Sequence, residues 1–357
     1  MQRRAFLSSC ASLGVAGTLL SPSLVIAQTS DTPIDAVAAI KALRVNVGPY
    51  AGGYEIAPNG RLNWYFTALG LLPIVQSLAP ADLDKYIRTY LDLYIGHLTP
   101  ERTISDVNFP WGRADPYTCT IVDSDSDDSY AATFLSLATR YLRASGNVAW
   151  WNANKAVLLE VAYRNLAMTL KPNGMTSVFQ SPRGQTNSIG YLMDNCEVYR
   201  GLRDFGALLT DAGDSKEGTY YQALGSNVAA GLARQFKTTT SGFTPGDAFS
   251  VTERAFYPGA TCQVFPQAFG VQELAPMFDR AWNYLGQHAA GWADGRYDSY
   301  PWAILGLVAA KRGQTALART QLRQIQGKFV NQRSLVTINE LGFYQRTLNV
   351  LAGRVEV

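Results

Sequence analysis

Apolar residues recur along most of the chain three and four residues apart, and no series of strictly alternating apolar and polar positions stands out. The helical segments this spacing predicts are of two kinds. Residues 34–43, 80–98, 152–170, 216–236, 273–288 and 314–329 carry one apolar stripe and a polar outer face. Residues 62–77, 128–144, 194–210, 259–270, 299–311 and 339–351 are richer in small and apolar residues on nearly every side. A helix that is apolar all round belongs in an interior, and one with a charged face belongs outside. The two kinds alternate strictly, with long connections before the apolar kind and short ones after it. This pattern predicts an all-α fold, an (α/α)6 barrel of six inner and six outer helices whose long loops gather at one end. An open helical solenoid would keep a uniform repeat. Here the inner segments begin at residues 62, 128, 194, 259, 299 and 339, so the step shortens from about 65 residues to about 40. The turn-rich stretch 238–259 is expected to be one of the long barrel-end loops, with a small hairpin.

The first residues break the pattern. MQRRAFLSSCASLGVAGTLLSPSLVIAQ sets Arg3-Arg4 ahead of Phe6-Leu7 and an apolar run, interrupted by Gly14, Gly17, Ser21 and Pro22, that ends at Val25-Ile26-Ala27. This is the layout of a twin-arginine export signal cleaved after Ala27. Residues 1–27 are therefore expected to be a signal peptide, residues 28–357 a single barrel domain, and the location periplasmic or secreted. No later stretch reaches the roughly 20 uninterrupted apolar residues of a membrane span, so no membrane contact is expected after signal removal.

A formal net charge of +3, with no basic run or stripe, argues against nucleic acid as a partner. Beyond the signal stand Cys119, Cys196 and Cys262, whose spacing matches no zinc motif. Either Cys196 pairs with one neighbour or all three are reduced. His97 and His288 both fall in helix-like segments, which speaks against a histidine-ligated metal or a Ser-His-Asp triad. No metal or cofactor is expected, and any chemistry has to rest on carboxylates and tyrosines. The oligomeric state is left open.

In a barrel the residues at the start of each inner helix converge. Before and at the first stand Tyr54, Glu55, Arg61, Asn63 and Trp64. The second brings Trp111, Arg113 and Asp115, then VDSDSDDSY with Asp123, Asp125, Asp127, Asp128 and Tyr130. The third begins with Asp194, Asn195, Glu197 and Tyr199, and the fourth follows Glu253, Phe256 and Tyr257. The fifth brings Asp294, Arg296, Asp298, Tyr300 and Trp302, and the sixth Asn339 and Glu340. Sugar rings offer apolar faces to Trp and Tyr, while their hydroxyls suit Asp, Glu and Asn, so this convergence points to a carbohydrate partner. Helix N-termini directed at the same place offset the repulsion among the carboxylates. The plainer alternative for Asp127 and Asp128 is helix capping.

The pattern resembles the six-hairpin glycosidase superfamily. Two stretches are distantly similar to family-8 glycoside hydrolases, which are inverting endoglucanases, chitosanases and xylanases. DSDDSYAATFLSLA, residues 125–138, is similar to that family's Asp-x-Asp-rich inner-helix start, and YDSYPW, residues 297–302, to its Tyr-Asp-Ala-x-Arg-x-Pro-Trp segment without the arginine. The resemblance implies that Asp125 binds the sugar at the cleavage point and that Asp298 is a candidate base. The family's acid glutamate belongs at the first inner helix, where this chain reads Asn59-Gly60-Arg61-Leu62-Asn63 and only Glu55 is near. The candidate catalytic residues are thus Glu55, Asp125 and Asp298. Candidate substrate-binding residues are Tyr54, Arg61, Trp64, Trp111, Asp123, Asp127, Asp128, Tyr130, Asp194, Glu197, Tyr257, Tyr300 and Trp302.

The expected function is hydrolysis of a polysaccharide or oligosaccharide by an inverting pair of carboxylates. A polysaccharide lyase, with tyrosine as base and Arg61, Arg113, Arg183 or Arg296 neutralising a uronate, is an alternative on the same barrel. A non-catalytic carbohydrate-binding protein that has lost the acid is another.

Overall fold

The computed structural model describes residues 33–354. The expected signal peptide lies outside them. Within them the strict alternation of helices is present. Helix α1 is Ala36–Lys41 and α2 is Trp64–Leu71; α3 runs without a break through Pro80–Leu83, a π-helical Asp84–Arg88 and Thr89–Gly96. Next come α4 (Asp128–Ser145), α5 (Val148–Ala162, extended by the π-helical Tyr163–Ala167), α6 (Leu192–Asp211) and α7 (Ser215–Ala233). Helix α8 is assembled from the short pieces Phe256–Ala260, Thr261–Val264 and Phe265–Ala268. The last four are α9 (Ala275–His288), α10 (Ala303–Lys311), α11 (Thr315–Asn331) and α12 (Ile338–Leu351).

The even-numbered helices form the inner ring. Each of α2, α4, α6, α8, α10 and α12 packs on the next, and α12 returns to α2 and closes the barrel. Outside, α5 lies on α4, α7 on α6, α9 on α8, α11 on α10 and α1 on α12. The sequence dictates this sorting. Every residue of α10 from Ala303 to Ala310 is buried, whereas the buried positions of α11, namely Ala318, Gln321, Leu322, Ile325 and Gln326, make a single stripe. Two glycine contacts let inner helices touch backbone to backbone. A Cβ at Gly201 of α6 would stand 2.7 Å from Cα of Ala132 on α4, and one at Gly342 of α12 would stand 2.9 Å from Cα of Gly70 on α2.

The structure departs from the predicted elements where proline intervenes. Residues 62–77 do not make one helix, because Pro73 lacks an amide donor and disfavours helical backbone before it; α2 stops at Leu71. Pro258 and Pro266 likewise break 259–270 into short pieces, with Tyr257 extended at φ −112°, ψ 133°. The hairpin expected near residue 240 is present, with β3 (Phe236–Lys237) antiparallel to β4 (Gly242–Phe243). A second hairpin was not expected: β1 (Asp106–Asn108) pairs antiparallel with β2 (Thr120–Val122), Asp106 lying opposite Val122. Three residues per strand are too few for alternation to be legible. Among the described residues no helix is long and apolar enough to cross a membrane.

Candidate active site at the barrel mouth

Two glutamates from different inner helices line one cavity at the end where those helices begin. Glu340 is the third residue of α12 and is buried. The first amide of α10, the Ala303 N–H, donates to its Oε2 at 2.5 Å, and Asn339 Nδ2 donates to its Oε1 at 3.3 Å. The Tyr300 hydroxyl lies 3.0 Å from Thr337 Oγ1 and receives Asn339 Nδ2 at 2.9 Å. Burial pushes the Glu340 carboxyl up to about 7; the Ala303 amide and Tyr300 pull it down, and the charge of Asp298 adds to the rise. Glu197 sits further along α6, buried, and its Oε1 accepts a short hydrogen bond from the Tyr65 hydroxyl. The cavity they share, about 40 Å³, is walled by aromatic rings, among them Tyr65, Phe66, Phe265, Tyr300 and Trp302.

Trp302 is held in the left-handed region at φ 53°, ψ 52°. For a bulky residue this costs roughly 1–3 kcal/mol and persists only where surroundings over-determine it. Here the indole N–H donates to Asp298 Oδ2 at 3.0 Å and the ring stacks on Tyr257, centroids 5.0 Å apart. Asp298 Oδ1 also accepts from the Tyr300 amide at 3.0 Å, so this carboxylate fixes two of the aromatic walls.

A second acidic centre adjoins the first through stacked tyrosines. The Tyr65 ring lies on that of Tyr130, centroids 5.6 Å apart and 23° from parallel. The Tyr130 hydroxyl donates to Asp106 Oδ2 at 3.0 Å, Asn63 Nδ2 donates to the same oxygen at 2.6 Å, and Arg61 Nη2 stands 3.8 Å away. Burial raises the Asp106 carboxyl to about 7; Arg61 opposes this, and the neighbouring charge of Asp125 adds to it. Asp125 itself is half-buried.

The aspartate cluster of residues 123–128 therefore divides. Asp123 is exposed. Asp127 is buried and takes Arg183 Nη1 at 2.9 Å and the Gln180 amide at 3.0 Å, and burial raises its carboxyl against the pull of Arg183. Asp128 accepts from Thr176 Oγ1 and from the Ser129 amide, both at 2.7 Å; burial, and then the charge of Asp194, push its carboxyl well up. Asp127 occupies the N-cap position of α4 without making a side-chain cap bond, so it tethers the loop before α6 instead of capping α4.

Of the other residues singled out in the sequence, Glu55 lines a different pocket, with Arg44, Asn46 and Arg113, and its Oε2 accepts from Arg113 Nε at 2.6 Å. Burial raises its carboxyl, opposed by Arg113. Tyr54 and Trp64 are fully buried in the core; the tyrosine hydroxyl donates to the Tyr86 carbonyl and the indole to that of Ser105. Trp111 is 68% exposed, in the connection between β1 and β2. Asp194 is buried beside Asp128. Tyr65, Asp106, Asn339 and Glu340 were not among the candidate site residues. Only the last two carried a signal, their place at the start of the sixth inner helix. Cys119, Cys196 and Cys262 are all unpaired, which fits the reduced alternative.

No protein-family model and no curated protein sequence matches the chain. Solved structures do share its fold. A glycosidase variant superposes with a TM-score of 0.59 at 15% identity, over 90% of this chain and 96% of that one. Another variant of a glycosidase, in complex with glucose, gives 0.57 at 14% identity over the same shares. A rhamnosidase from Klebsiella oxytoca with rhamnose bound gives 0.57 at 13% identity over 83% of this chain, which spans about half of that protein (54%). Identities this low establish likeness of architecture: the chain is an (α/α)6 barrel built like these glycosidases.

Proposed function

We propose that the protein is an exported glycoside hydrolase and that Glu197 and Glu340 are its working carboxylates. The observation that carries this is their convergence, from the third and sixth inner helices, on one aromatic-walled cavity at the barrel mouth. Glu340, protonated below about pH 7, gives its proton to the glycosidic oxygen. Glu197 takes a proton from water, whose oxygen attacks the anomeric carbon as the bond to the leaving group breaks. Because water attacks directly as the leaving group departs from the opposite face, the configuration inverts. Proton exchange with solvent then restores both groups. Asp298 positions Trp302, and Asp125 with Asp106 and Arg61 forms a polar shelf for sugar hydroxyls. The glucose and rhamnose complexes of the neighbouring folds support a carbohydrate substrate. The cavity as it stands holds a water or two and not a whole pyranose ring, so substrate binding has to widen it. Residues 1–27 are the export signal of this reading, and residues 28–357 one catalytic domain in the periplasm or outside the cell.

The test is a reducing-sugar assay on glucosides, rhamnosides, neutral glucans, chitosan and bacterial exopolysaccharides. Turnover should fall at least 100-fold in Glu197→Gln and in Glu340→Gln, and wild-type rates should decline as pH rises through about 7, where Glu340 loses its proton. Folded protein inactive on the whole panel would sink the hydrolase reading. Ultraviolet absorbance of an unsaturated uronate product would replace it with a lyase.

A further inference from the structure

Deeper in the barrel lies a second cavity, about 20 Å³, lined by Thr133, Ser136 and Arg140 of α4, Glu197 and Arg200 of α6 and Arg346 of α12, with Leu72 and Phe269 on its apolar side. Glu197 belongs to this cavity and to the one above it. The positions along the helices fix the order. At about 1.5 Å of rise per residue, Glu340 stands roughly 3 Å below the start of its helix and Glu197 roughly 7 Å. Arg200 and Arg346 stand roughly 12 Å down and Arg140 roughly 18 Å. From the mouth inward the barrel axis thus meets a carboxyl among aromatic rings, a second carboxylate, and then three guanidinium groups.

The titratable and charged groups lining the two cavities around Glu197 can be named element by element. Helix α2 contributes Tyr65, α4 Arg140, α6 itself Arg200, α12 Arg346 and Glu340, and the turn before α10 Tyr300. Cys196 is buried beside it on α6, and the residues that α8 and the turn after it place there, Phe265 and Phe269, carry no charge. Arg200 bridges to Asp204, Nε to Oδ1 at 2.8 Å, and Arg346 Nη2 donates to the Ala268 carbonyl at 3.0 Å. Arginine stays protonated at any working pH. Three permanent cations therefore stand on the inner side of Glu197, against Glu340 and Asp204 as the other acids. Glu197 is buried and the three arginines are half-exposed, so burial disfavours the charge on Glu197 and the cations oppose that penalty from its inner side.

We propose that Arg140, Arg200 and Arg346 form a cationic floor that keeps Glu197 ionised, the state its role as base of the pair requires. The three arginines are positioning residues, since they act on the substrate only through Glu197. This assignment rests on the pair named under Proposed function.

The decisive measurement uses the intact wild-type protein, labelled with carbon-13 at the glutamate carboxyls. The Glu197 and Glu340 signals are identified by their loss in Glu197→Gln and Glu340→Gln. The Glu197 signal should stay at the carboxylate position between about pH 8 and about pH 5.5, and the Glu340 signal should move with a midpoint near 7. A Glu197 signal that titrates in that window, or above Glu340, overturns the proposal. In Arg346→Met the Glu197 signal should begin to move within the window, and turnover at the acidic end should fall at least tenfold more than at the alkaline end. Arg346→Lys should restore the wild-type pH profile. Variants that lower the melting temperature with the profile unmoved mark a merely structural role and also overturn it; if Arg346→Met does not fold, the wild-type titration still decides. Full activity in Glu197→Gln would refute the catalytic pair itself, and the order of titration would then judge separately whether the arginines hold the charge.

Discussion

Replacing Glu340 by Gln should stabilise the protein, and by an amount that depends on pH. An unfolded glutamate releases its proton near 4.3, whereas the buried Glu340 holds its proton up to about 7. Between those values the folded state binds a proton that the unfolded state has lost, so stability falls as pH rises through the window. The penalty is absent well below 4.3 and complete above about 7. The rise from 4.3 to about 7 corresponds to about 4 kcal/mol at 1.36 kcal/mol per pH unit. Gln keeps an oxygen to accept the Ala303 amide and never ionises. Glu340→Gln should therefore exceed the wild type by about 4 kcal/mol at pH 8, by about 1 kcal/mol at pH 5 and by a few tenths at pH 4. Urea unfolding followed by tryptophan fluorescence at several pH values measures this, provided the slopes of the two proteins agree. Asp106, raised to a similar value, is present in both proteins and cancels in the difference. A difference that does not change with pH, or a Gln variant less stable at pH 8, would refute the reasoning.

Three further outcomes are expected. Gly201→Ala should lower stability by about 1–3 kcal/mol, because the added Cβ would stand 2.7 Å from Ala132 of the next inner helix; an unchanged melting temperature would contradict that packing. Asp127→Ala should cost about 2 kcal/mol by leaving the Gln180 amide without its acceptor and the Arg183 guanidinium with Ser124 alone as acceptor, whereas Asp125→Asn should leave the melting curve nearly in place and cut turnover about 100-fold. The reverse pattern would make Asp125 the structural member of the cluster. Intact-mass analysis of exported protein should find a chain beginning at Gln28 with three free thiols, and changing Arg3-Arg4 to Lys-Lys should block export; a product that keeps residues 1–27 contradicts the cleavage.

The sorting of helices into an inner and an outer ring was legible because burial is written in the faces of a helix: Ala303 to Ala310 carries no polar residue, while α11 shows one stripe. The boundaries were legible to within about four residues except where Pro73, Pro258 and Pro266 withdraw amide donors. The β1–β2 hairpin was not legible, since each strand is three residues long.

For the candidate site the sequence determined height and not direction. Placing Glu197 and Glu340 near the starts of inner helices put them at the right end of the barrel, as it did Asp194 and Asp128. A stripe of polar residues normally reveals which side of a helix faces what, but an inner helix is buried on every side and has no such stripe to read. Only the packing of neighbours decides that Glu197 faces the axis with Tyr65 while Asp194 turns toward Asp128. The same holds for partners far apart in the chain. The Tyr65 hydroxyl meets Glu197 across 132 residues and the Ala303 amide meets Glu340 across 37, and closure of the ring brings them together because each inner helix has room only where its neighbours' small residues let the backbones approach.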